Sequence, residues 1–203
     1  MLTPACGAAL LVASLSGCAE GPVKADPAII AELRSRYLLQ EEPDGALTPI
    51  GWREEQSETA ESESAETPVV AQSIDPTEVV LVGQVGGMPN PWTETEPGFP
   101  WRENEATFFL VDPGTAADFA DHAAEVGDNH AADCPFCARE AANKSSSVVA
   151  ISFLGEDKKP TPIDSRELLG VSEGDTVVVR GVLQTLLGGE LLVLHADGLF
   201  VRN

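Results

Sequence analysis

Between Thr77 and Arg202 the apolar positions come in short dense blocks separated by glycine and charge, which is the pattern of strands. "TEVVLVGQVGG" (77–87), "EATFFLVD" (105–112), "SSVVAISFL" (146–154), "DTVVVRGVLQ" (175–184) and "ELLVLHADGLFVR" (190–202) read as five strands. The last two are joined at the Gly188-Gly189 turn. "PIDSRELLGVSEGD" (162–175) reads as a short helix running into a turn before the fourth strand. Upstream the period changes. Ile29, Ile30, Leu33 and Tyr37 recur at helical spacing behind Asp26-Pro27, a capping residue followed by a first-turn proline. The spacing predicts a short amphipathic helix, lying on a membrane or packed on its own domain.

Two stretches break the strand pattern. From Gln40 to about Asp75 the chain turns to Glu, Ser, Thr, Ala and Pro, with "REEQSETAESESAETP" at its centre. So little apolar surface does not offset an ordering cost of roughly 1–2 kcal/mol per residue, and 40–76 is expected to be a disordered acidic linker. The second stretch, 114–146, stands where a hairpin turn would suffice. It reads as two Ala-rich helices, one from about Thr115 to Val126 with Gly127 as a cap, the other capped by Asp133 with Pro135 in its first turn.

The order strand, strand, strand, helix, strand, strand resembles that of an OB-fold, a five-stranded Greek-key barrel. The segments "GDTVVVRGVLQ" and "GELLVLHADGLFV" look like the last two strands of OB domains of the nucleic-acid-binding type. The expected architecture is therefore mainly β, an OB-like barrel over 77–203 with a helical insertion between its second and third strands. OB-folds commonly use the loop after the first strand for ligands. Here that loop, 88–105, carries Trp92, Phe99 and Trp101, which would stack on a sugar or a partner's side chain or fold back onto the barrel end.

Charge narrows the partners. With 33 Asp and Glu against 12 Lys and Arg, the net charge is −21. Nucleic-acid contact depends on cationic side chains neutralising phosphates, so no nucleic-acid partner is expected despite the resemblance. The N-terminal apolar run Ala8–Leu15 is too short to span a bilayer and reads as a secretory signal over 1–17. Leu15-Ser16-Gly17-Cys18 resembles the lipobox of bacterial lipoproteins. That resemblance implies cleavage before Cys18, lipidation of its thiol and anchoring at the cell envelope, with 18–39 as the lipid-anchored N-terminus. In such a space disulfides persist.

The remaining chemistry lies in "DNHAADCPFCARE" (128–140). Each helix of the insertion is short enough to be marginal alone. A disulfide between Cys134 and Cys137 closes so small a ring that the chain-entropy model gives it only about 2 kcal/mol. His122, His130, Cys134 and Cys137 instead supply the ligand set of a tetrahedral zinc site, and binding contributes on the order of 10–16 kcal/mol. The Cys-Pro-x-Cys turn resembles the knuckle of zinc ribbons and rubredoxins. Copper(I) suits the same soft ligands, and Asp121, Asp128 or Asp133 are substitute ligands. The motif is also similar to the CPxC sites of thiol-disulfide exchange proteins, which would make Cys134 the attacking thiol and Cys137 the resolving one. His195, alone in the last strand, is left out of the site. No phosphate loop, triad spacing or paired-carboxylate signature marks an enzyme. The leading expectation is an anchored binding protein with a metal site. The alternatives are an oxidoreductase using Cys134 and Cys137, or a module that takes a polysaccharide or protein on the tryptophan loop.

Overall fold

A computed structural model describes residues 25–63, 77–126, 134–186 and 191–202. The chain is mainly β, with five strands in one mixed sheet: β1 (Thr77–Val85), β2 (Thr107–Val111), β3 (Val148–Phe153), β4 (Thr176–Leu186) and β5 (Leu191–Val201). They run in the order β1-β2-β3-β5-β4, and β4 pairs back onto β1 from Thr77↔Leu183 to Gln84↔Thr176, closing the ladder on itself. The pairing of β3 with β5 is parallel, the others antiparallel.

Alternation along the strands fills the enclosed space. Phe108 and Leu110 of β2, Val149, Ile151 and Phe153 of β3, and Leu192 and Leu194 of β5 point into one core and are fully buried. The opposite faces of β2 and β3 are covered too. Phe109, Val111, Val148 and Ala150 form a second apolar cluster with Met88, Ala116 and Ala141. Both strands are therefore buried on two sides, which explains runs such as "TFFLV" with no polar alternation.

The helices are α1 (Pro27–Tyr37), α2 (Pro49–Glu63), α3 (Pro113–Val126), α4 (Pro135–Asn143) and α5 (Ser165–Leu169). In α1 the side chain of Asp26 accepts the Ala28 N–H at 2.8 Å, and Pro27 opens the first turn. Its apolar face packs on the protein: Ile30 and Leu33 join the main core cluster. The Tyr37 ring lies 4.8 Å from that of Phe153, and its hydroxyl donates to the Leu154 carbonyl at 3.2 Å. Arg34 donates to the Leu168 and Glu167 carbonyls, each at 2.8 Å, closing the C-terminal end of α5.

The expected disordered linker is corrected across its first part. The Leu47 N–H donates to Val80 and its carbonyl accepts from Val82, adding a short parallel contact to β1. Thr48 then starts α2, its hydroxyl accepting the Gly51 N–H at 3.1 Å, and Trp52 enters the main core. A few anchors order an acidic segment: one buried indole, two ladder bonds, and Arg53 donating to the Ser146 carbonyl at 2.8 Å. The rest of the expected linker, 64–76, lies outside the described residues, as do the signal segment and Cys18.

The tryptophan loop folds inward. Trp101 is buried in the main core against Phe108, and Trp92 and Phe99 are half-buried against Phe109, with ring centroids 5.5 and 5.4 Å from it. Of the two readings of this loop, the packing of Trp101 and Phe99 matches the one in which the aromatics fold back onto the barrel. Trp92 keeps one face toward a groove described below.

Candidate functional site

The insertion is built on two proline-started helices. The Asp112 carboxylate, buried at the end of β2, accepts the Gly114 N–H at 2.9 Å at the start of α3 and the Ile50 N–H at 3.2 Å at the start of α2. One side chain thereby serves two helix beginnings. At the start of α4 the cap is Cys134 rather than the expected Asp133: its sulfur accepts the Cys137 N–H at 3.3 Å, and its carbonyl accepts from Ala138. Lys144, just past the end of α4, pairs with Asp118 of α3 at 2.8 Å and lies over the Phe119 ring. That clamp, with Ala116 and Ala141 in the second apolar cluster, sets the two helices against the sheet.

Between α3 and α4 lies a cavity of about 300 Å³, with His122 and Phe119 on one wall and Cys137 and Phe136 on the other. The two cysteines are free thiols. Cys134 is partly exposed and Cys137 is buried. The closeness of their side chains, with the Cys137 N–H on the Cys134 sulfur, polarises the pair in opposite senses. Cys134 has its pKa lowered, first by the bond from the Cys137 side chain, then by the Cys137 N–H at the helix start. Cys137 has its pKa raised, first by that same bond and then by burial. The first proton therefore leaves the pair from Cys134, and the thiolate is held where a helix end favours negative charge.

Of the four expected ligands, the structure places His122 and Cys137 on the lining of one cavity, with Cys134 at the start of the helix that carries Cys137. His130 lies outside the described residues, with Asp128 and Asp133, while Asp121 is exposed on α3. Among the described residues, no three His, Cys, Asp or Glu side chains converge as a metal-ligand group. Two features were not legible in the sequence. A cysteine cap looks like any other CxxC until the helix start is fixed, and the Lys144–Asp118 pair joins residues 26 positions apart.

No protein-family model matches the chain, and no curated protein matches it either. The functional argument therefore rests on the residues. Among the described residues, no helix is long and apolar enough to cross a membrane.

Proposed function

We propose that the chain is an envelope lipoprotein, anchored through Cys18, whose OB-like Greek-key barrel carries a thiol-based metal site in its helical insertion. Zinc is the first candidate and copper(I) the second. The circular strand order, with β3 parallel to β5 and α5 between β3 and β4, supports the OB-like reading. The lipobox-like segment supports the anchor. One observation carries the metal reading: two unlinked thiols at a helix start, the sulfur of Cys134 accepting the Cys137 backbone N–H, with a histidine lining the cavity that the buried thiol faces. Cys134 and Cys137 would hold the ion, with His122 and His130 completing the set. The ion would tie the helices to the chain between them.

The test is zinc binding by the purified full chain, reduced and stripped of metal. One equivalent is expected. Cys134→Ser and Cys137→Ser should each abolish tight binding, and His130→Ala should weaken it at least about tenfold, since even the partners that orient metal ligands are worth 10–100-fold. Zinc held equally well by a Cys134→Ser/Cys137→Ser double variant would sink the proposal.

A second reading, thiol-disulfide exchange, is favoured by the asymmetry of the pair. A partly exposed thiol with lowered pKa attacks a partner disulfide, forming a mixed disulfide and releasing one thiolate. The buried thiol then attacks Cys134, closing the Cys134–Cys137 disulfide and freeing the partner's second thiol. Alkylation by iodoacetamide, followed by mass spectrometry against pH, checks the asymmetry that this reading needs. Because the thiolate is the reactive form, Cys134 is expected to label along a curve displaced to lower pH than free cysteine, with Cys137 lagging at every pH. Superimposed curves for the two residues would remove the reason for the exchange reading.

A further inference from the structure

A groove of about 450 Å³ lies on the outer face of the sheet, across the strands from the main core, with neither Cys134 nor Cys137 in its lining. Register builds its floor. Thr107, Ser152 and His195 are paired directly across β2, β3 and β5 and form one polar row. Phe109, Ala150 and Val193 are paired in the same way and form an apolar row two residues further along, about 7 Å away. The floor is thus polar along one edge and apolar along the other. Trp92 stands over the apolar row, with its ring 5.5 Å from that of Phe109.

The polar groups are mixed in donor and acceptor character, and the charged ones are Glu96, Arg102 and Lys158. Thr107 Oγ1 and Ser152 Oγ lie 3.0 Å apart, both more than nine-tenths buried. Their mutual bond satisfies both hydroxyls and leaves the pair one proton and spare lone pairs on the floor of the groove. Burial lowers the pKa of His195, so at neutral pH its imidazole offers one N–H donor and one lone pair. On the wall Arg102 is forked onto Glu96, adding donors beside acceptors with no net charge. Two hydroxyls and an imidazole in one row beside an aromatic wall are the features of a small-molecule site rather than of a bare sheet face.

We propose that this groove binds a short uncharged saccharide, its hydroxyls on the Thr107–Ser152–His195 row and the C–H face of a ring on Trp92 and the apolar row. Such a ligand both donates and accepts at every hydroxyl and presents an apolar face, matching each edge of the floor. Lys158 adds a single positive charge to the lining, whereas an acidic glycan or a nucleic acid would meet a chain with a net charge of −21. The site is independent of the thiol pair and does not rest on the metal reading.

Titration of the full chain with maltotriose, cellotriose and chitotriose, followed by calorimetry and tryptophan fluorescence, tests this. Saturable binding of at least one is expected. Thr107→Val, which keeps the side-chain shape, and His195→Ala are each expected to raise its Kd about tenfold, the effect of losing a buried hydrogen bond. The proposal is overturned if none of the three binds saturably. It is equally overturned if both variants bind as the parent does, or if adenosine or a glucuronate trimer binds more tightly than every neutral sugar.

Discussion

Replacing Trp52 with alanine is expected to lower the stability of the folded chain by about 3–5 kcal/mol, the usual cost of deleting a buried aromatic side chain. Trp52 is only 4% exposed, although it lies in one of the most acidic parts of the sequence. Its indole sits in the core cluster with Leu81 and Val179, and Leu47, a few residues earlier, is hydrogen-bonded to β1. Urea unfolding of the full chain, read by far-ultraviolet circular dichroism so that the lost indole does not bias the signal, measures the effect. Glu58→Ala, on an exposed part of the same helix, serves as the control and should stay within about 0.5 kcal/mol of the parent. A Trp52 variant as stable as that control would restore the segment to the status of a linker.

Gly181→Ala is expected to be at least as damaging for its size, costing about 3 kcal/mol, the upper part of the overpacking range. The register of β4 against β5 shifts between Arg180 and Gly181, which brings two backbones together. A Cβ on Gly181 would press into the His195 carbonyl oxygen and lie 2.8 Å from the Ala196 Cα. Both obstacles are main chain, so relief requires moving β5 and with it the His195 end of the groove floor. Thermal unfolding of Gly181→Ala beside Val182→Ala, whose side chain is largely on the surface, isolates the clash from ordinary truncation. Equal melting temperatures for the two would contradict it.

The strands were legible because their burial is strong and local. Each apolar block between Thr77 and Val201 became a strand within a few residues of the expected span. The short helix before β4 was legible through Asp164, whose carboxylate accepts the Arg166 N–H, and Gly170, whose left-handed backbone ends the helix. Helix α2 was not, because its tie to the core is one tryptophan and its preceding leucine, too few positions to show a 3.6-residue period. The aromatic loop left two readings open for a related reason. Composition tells that Trp92, Phe99 and Trp101 are there, but whether they face outward depends on Phe108 and Phe109, which become neighbours only through the fold. At the thiol site the ligand types were visible in the sequence, while the opposite polarisation of Cys134 and Cys137 follows first from how their side chains meet and, for Cys134, then from the helix N–H on its sulfur. The polar row of the groove needed strand register, which links positions as distant as Thr107 and His195.

The docking of α1 changes how an anchored form of this protein stands at a bilayer. Ala25 already packs against the core cluster. With the acyl group proposed at Cys18, only residues 19–24 separate the lipid from the folded body, a span of at most roughly 25 Å at full extension. The acidic segment, pinned to the body at Trp52, adds no length to that leash. If that anchor is present, the body would be confined within about its own width of the headgroups, and whatever occupied its groove or its thiol pair would be met in that thin layer rather than in the open volume beyond it.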